Sequence, residues 1–289
     1  MGAGVRAIWI GVVLGLATAS QAGAAEARLR FLRDAAAVRT LTLAELRQRC
    51  ETQRVQVPSD PYYGVSKRFF ALPLACVLEA GFGAAPEALA GESFFLRARD
   101  GYVKPAVGGR LLQPTAFLAF ADADLTDADA SPFVAHWQPI DRRQVDPGPF
   151  YLVWSGPAQQ DAHRYPWPYQ LAAVEIAPFA SEYPHAVPED AAPGSPARAG
   201  FEIFRSDCIS CHSVNGEGGK VGPDLNVPMS IVEYRPPEQI KAFVRNPRRF
   251  RYTSMPANPQ LDDADLDALV AYFAYMSQHK HDPGAGDRP

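Results

Sequence analysis

The five residues Cys208-Ile209-Ser210-Cys211-His212 constrain this 289-residue chain more than any other feature. Two thiols three positions apart on a helical turn can reach the two vinyl groups of one porphyrin, and the next residue's imidazole then lies beneath the iron. The spacing C-x-x-C-H therefore implies one covalently attached c-type haem, with Cys208 and Cys211 forming the thioether bonds and His212 as the proximal iron ligand. A redox-active cysteine pair is the other reading of C-x-x-C. Such a pair would follow a strand inside a βαβ unit, and the residues before Cys208 offer none. Residues 200–207 read as helix and residues 215–223 as a glycine-rich loop. Residues 236–246 begin with prolines, which a helix tolerates in its first turn, and stop before Pro247. A last helix is expected over residues 264–279, with Leu266, Leu269, Val270, Phe273 and Met276 on one face and Asp262, Asp263 and Asp265 at its positive end.

The whole stretch from Gly200 to His279 resembles a class I cytochrome c. It carries the motif, then Gly222-Pro223-Asp224-Leu225, then Met255-Pro256, then the final helix, in the order of that family. The resemblance implies that the Pro223 carbonyl accepts the ring N–H of His212, which fixes the ring and raises its basicity. It also implies that Gly200 and Phe204 pack against Leu269 and Tyr272 where the terminal helices cross. Met255 is the candidate for the sixth iron position, because it lies in a proline-flanked loop between two helices. Met229 follows closely on His212, which makes a short path round a haem, and Met276 sits on the apolar face of the last helix, where packing explains it. His212 and Met255 together would give a six-coordinate iron of raised potential, suited to moving single electrons rather than to binding oxygen or peroxide. Arg245, Arg248, Arg249 and Arg251 precede Met255. They read as a solvated surface with some arginines on the haem propionates, or as a positive ring that steers an acidic redox partner.

Domain organisation follows from shifts in texture. Residues 1–24 have the layout of a secretory signal peptide: Arg6, an apolar centre, then Ala22-Gly23-Ala24 as the cleavage pattern. Export to the periplasm is the expectation, and membrane contact would arise only if this segment were retained. Residues 26–183 read as an α+β domain, residues 184–196 as a proline-rich linker, and residues 197–281 as an all-α haem domain. Helices are expected over residues 41–50 and 72–80, and strands over residues 93–99, 116–120, 150–154 and 170–177. The formal net charge of −4 gives no reason to expect nucleic acid as a partner.

The N-terminal domain carries no catalytic triad, phosphate loop or dinucleotide fingerprint. Leu41-Thr42-Leu43-Ala44-Glu45-Leu46, Ala71-Leu72-Pro73-Leu74, Leu78-Glu79-Ala80-Gly81 and Ala98-Arg99-Asp100-Gly101-Tyr102 resemble successive landmarks of the sulfite-oxidase-type molybdopterin-binding fold. The resemblance implies a mixed sheet. In that family a cysteine thiolate holds molybdenum, and the matching stretch here, residues 54–70, has no cysteine. The leader also lacks the twin arginine expected for export of a folded molybdenum enzyme. Both departures argue for a cofactor-free domain. Cys50 and Cys76 are expected to be two separately buried thiols, since both positions look helical and core-facing, with a disulfide as the alternative that an oxidising compartment permits. The aromatic run Tyr165-Pro166-Trp167-Pro168-Tyr169 reads as core filling before a ligand or docking surface, and the lone histidines His136 and His163 as surface or hydrogen-bonded residues before ligands. The expected role is that of a single-electron carrier whose N-terminal domain docks an oxidoreductase donor or an oxidase acceptor. A fused oxidoreductase with its own cofactor and a ligand-sensing or assembly module remain as alternatives.

Overall fold

The computed structural model describes residues 26–284, save 128, 132, 141–143, 161, 163, 164 and 254. The stretch read as a signal peptide, and His163, lie outside the described residues. Two strands, β1 (Arg28–Arg33) and β2 (Ala36–Thr42), form a hairpin and lead into α1 (Leu43–Arg49). Thr42 and Glu45 close a capping box at that helix start: Thr42 N donates to Glu45 at 2.8 Å and Glu45 N donates to Thr42 Oγ1 at 3.2 Å. Next come β3 (Gln53–Val57), β4 (Lys67–Pro73), α2 (Leu74–Phe82), α3 (Pro86–Leu89), β5 (Ser93–Ala98), β6 (Val103–Val107) and α4 (Gly108–Leu111). The region closes with β7 (Ala116–Asp122), β8 (Tyr151–Trp154) and β9 (Leu171–Ile176).

These strands make two sheets. One is mixed, in the order β2-β1-β9-β5-β6, with β1 and β9 parallel. The other is antiparallel, in the order β3-β4-β7-β8. Every residue of β7 is buried, as its Ala-Phe-Leu-Ala-Phe sequence and central place require. Side chains from both sheets and from α1 and α2 share one apolar core, including Phe31, Leu46, Phe69, Val77, Phe120 and Trp154. The aromatic run belongs to it: Trp167 is buried, and Trp154 Nε1 donates to Pro166 O at 2.7 Å. His136 lies exposed on the surface.

One expectation is corrected here. Cys50 and Cys76 are not separate thiols but a disulfide, with their Cα atoms 5.9 Å apart. Cys50 caps the C-terminus of α1 in an extended conformation, and Cys76 sits in the first turn of α2. The end of one helix thus meets the start of the other, so two core-facing positions face each other.

The C-terminal region is helical. It comprises α5 (Pro196–Ile203), running into a π-turn over Phe204–Cys208, then α6 (Ile231–Tyr234), α7 (Pro237–Arg245) and α8 (Asp263–Ser277). The all-α expectation needs one amendment, a short antiparallel ladder between Ser213–Val214 and Glu217–Gly218. Asn215 and Gly216 turn it, both with positive φ (57° and 81°), as a two-residue hairpin turn demands. Helices α5 and α8 cross where Gly200 lies against α8. A Cβ there would stand 2.0 Å from the Ala268 carbonyl oxygen, so only glycine allows this approach. Phe204 packs its ring on Tyr272 with centroids 5.3 Å apart.

The stretch between the two regions is folded onto both. Ala177, Phe179 and Ala186 are buried in a second core with Phe201, Phe204, Leu269, Tyr272 and Phe273, and Phe95 of β5 joins them. No helix among the described residues is long and apolar enough to cross a membrane.

Candidate haem site

The π-turn after α5 brings the motif round in a tight arc, with the amides of Cys211 and His212 both donating to Cys208 O at 3.0 Å. The following loop then folds back over it. Gly219 N donates to Ile209 O at 2.7 Å, and Gly222 N donates to Cys211 O at 2.7 Å. Gly222 lies flat against the His212 ring; a Cβ would meet ring atom Cε1 at 2.3 Å. With no side chain in the way, the Pro223 carbonyl reaches His212 Nδ1 at 2.9 Å. That contact makes Nδ1 the donor and leaves Nε2 as the free ring nitrogen. Burial pushes the His212 pKa down, against the opposing effects of the Pro223 hydrogen bond and Asp224, so the ring is held neutral and able to ligate. Burial also pushes the Cys208 thiol up, to about 12.

A buried polar bracket fixes the loop. Asp224 Oδ1 accepts from the amides of Asn226 and Val227 at 2.7 and 2.8 Å, and its Oδ2 accepts from Gly216 N at 2.8 Å. Asn226 Nδ2 donates to Asn215 Oδ1 and to Met276 O, and Asn215 Nδ2 donates to His279 O, so the loop is tied to the end of α8.

Cys208, Cys211, His212, Pro223 and Met255 all line one cavity of about 340 Å³, in the size range of cofactor sites. Its walls are largely apolar, with Leu225, Ile240, Phe243, Val244, Leu269 and Phe273 among them. Met255 stands in the segment between α7 and α8, which Asn258 anchors by donating to Val244 O at 3.3 Å. Among the described residues it is the methionine on this wall: Met229 is 55% exposed and Met276 is buried in the α5–α8 core. The donor set fits a haem: two thiols, a fixed imidazole, a methionine sulfur and apolar faces between them.

The arginines separate into groups. Arg245 pairs with Asp263 at 2.8 Å, Arg248 and Arg249 stand exposed, and Arg251 lines the cavity with its guanidinium over Phe243. Arg235 and Asp207 also line it. Sequence reasoning passed over both, since neither belongs to a motif. The Ser230–Glu233 capping box, which starts α6 and so places Arg235 at its end, was the one local signal available.

Residues 195–273 match the family profile described as cytochrome c oxidase, cbb3-type, subunit III. Those residues form a cytochrome c domain. Haem binding follows for this region, and with it electron transfer. An 85-residue stretch is 32% identical to cytochrome c oxidase subunit 2 of Alkalihalophilus pseudofirmus, covering 27% of this chain and 25% of that protein. The chain thus spans about a quarter of the length of that relative. The two-sheet region lies outside the matched family segment.

Proposed function

We propose that this protein is an exported single-electron carrier with one covalent haem c, held by Cys208 and Cys211 and ligated by His212 and Met255. The observation that carries the reading is the convergence of all four side chains on one cavity, with the His212 ring fixed by Pro223. When bound, the haem takes up and releases one electron at its iron. The chain does the rest. Pro223 keeps His212 in the tautomer with Nε2 free to ligate, Met255 would supply the second iron ligand, and Phe243, Leu269 and Phe273 exclude water. Arg235 and Arg251 are placed to neutralise the propionates.

The periplasm is the compartment this reading requires. A leader-like N-terminus and a disulfide between Cys50 and Cys76 support it. The two-sheet region is read as the docking part, for an oxidoreductase donor or an oxidase acceptor, and as a cofactor-free relative of the molybdopterin-binding fold. In support, residues 54–70 supply no cysteine, and Cys50 and Cys76 are bonded to each other, so neither offers a thiolate to a metal. Exposed Arg248 and Arg249 would steer an acidic partner face, making its reaction rate fall as salt rises. The direct test is a spectroelectrochemical titration of full-length protein made in a haem-attaching periplasm. One reversible, one-electron transition is expected, whereas no transition would overturn the proposal.

A further inference from the structure

The two-sheet region reaches the haem-attachment turn through a charge pair. Arg110, in α4 just after β6, places Nη2 3.6 Å from Asp207 Oδ1, and its Nη1 donates to Ser206 O at 3.2 Å. Asp207 immediately precedes Cys208 and lines the haem cavity. Both side chains are largely out of water, at 19% and 13% exposure for Arg110 and Asp207. Asp207 Oδ2 accepts from Ser206 Oγ at 3.0 Å, but Oδ1 accepts no hydrogen bond. A carboxylate oxygen in that position is costly unless a countercharge stands near. Arg110 is that countercharge, and it comes from the other region of the chain.

The contact is braced on both sides. The Arg110 guanidinium lies over the Tyr165 ring at 5.3 Å, and Arg205, on the π-turn itself, donates back to Ser93 Oγ of β5 at 3.2 Å. Lys104, Arg110 and Arg205 line a small cleft where the two regions meet. A negative charge at the cavity wall favours the oxidised, more positive iron, and a neighbouring guanidinium opposes that effect.

We propose that Arg110 is a positioning residue of the haem site, through which the two-sheet region cancels the Asp207 charge and sets the haem potential. The inference rests on the haem reading above and deepens it: the N-terminal region helps to set the potential as well as docking a partner.

The test uses full-length holoprotein and four forms: wild type, Arg110→Gln, Asp207→Asn and the double variant. Midpoint potentials are read by spectroelectrochemistry, with the absorption spectrum confirming unchanged iron ligation. Arg110→Gln should lower the potential by about a factor of ten in the one-electron equilibrium constant, which is 59 mV. Asp207→Asn should raise it by a similar factor, and the double variant should return to within about a factor of two of wild type. Shifts of the same sign in both single variants, or none beyond a factor of two in loaded protein, would overturn the proposal. If Arg110→Gln does not accumulate, Asp207→Asn decides alone: a raised potential supports the pair, and an unchanged one refutes it. A wild-type protein that acquires no haem refutes the functional reading and this inference together, so the two failures are told apart by the spectrum.

Discussion

His212 shows how few residues define the centre of this molecule. Its ring is fixed by the Pro223 carbonyl, the approach is opened by the missing side chain of Gly222, and burial keeps it neutral. Met255 lines the same cavity and is the proposed second iron ligand. Replacing it with alanine should remove the His/Met signature from the absorption spectrum. It should also lower the potential by roughly 120 mV, a hundredfold at 59 mV per factor of ten. An unchanged spectrum and potential would remove Met255 from the iron. A second residue-scale prediction concerns Asp60, buried under the Tyr151 hydroxyl and the amides of Tyr62 and Tyr63. Burial raises its pKa despite those hydrogen bonds. The folded state therefore favours the neutral acid: this contribution is fully present below the unfolded pKa and is lost as pH rises through the folded one. The denaturation midpoint of Asp60→Asn should gain on wild type as pH rises from about 4, the unfolded carboxyl's range, whereas a gap independent of pH would contradict the assignment. The candidate haem residues Cys208, Cys211 and His212 could be named because covalent attachment demands contiguous residues, and Pro223 and Met255 through the resemblance; the fold brings all five to one cavity. Arg235 and Arg110 could not be named, since tertiary packing alone brings Arg235 to the cavity wall and Arg110 to Asp207.

At the scale of elements, the sequence spoke where apolar periodicity was strong. Helix α8 and strands β5, β7, β8 and β9 lie where their patterns put them, shifted by a residue or two at their ends. Strands β1 and β2 went unread. In β1, Arg-Leu-Arg-Phe alternates with period two, Leu29 and Phe31 buried and Arg28 and Arg30 exposed, but the arginines masked the pattern. Strand β3 lies almost wholly inside the stretch compared with a metal-binding loop and β4 begins in it, and Asn215-Gly216 was read as loop although that pair is a strong hairpin signal. The disulfide stood only as the alternative reading, because the approach of α1 to α2 depends on how both pack over the sheets. Cys50 and Cys76 stand 26 positions apart, so breaking their bond frees a loop of that length in the unfolded chain. A Cys50→Ala, Cys76→Ala double variant should lose roughly 3 kcal/mol and melt lower by roughly 6 to 12 °C. Calorimetry checks it, and an unshifted melting point would show that the bond adds nothing to stability. The haem spectrum should not change.

The whole molecule is organised round β5. By strand alternation, Phe94 and Leu96 enter the two-sheet core, while Phe95 enters the core shared with the haem domain. The connecting stretch, read from composition as a proline-rich linker, is bonded to the haem domain: Tyr272 Oη donates to Ala186 O at 2.7 Å, and Asn215 Nδ2 donates to His185 O at 2.8 Å. Prolines and small residues suggest an extended chain, yet Ala186 is buried in the core that holds Phe179, Phe201 and Tyr272. The haem domain is therefore held against the two-sheet region by a packed interface, which favours a fixed relay over a tethered, swinging one. The central claim, a haem-bearing electron carrier whose N-terminal region holds no second redox metal, is tested most directly by metal content. Iron and molybdenum should be measured per chain in full-length protein purified from a haem-attaching periplasm. The account predicts one iron and no molybdenum; molybdenum near one per chain would contradict it and make the two-sheet region an enzyme that passes electrons to the haem.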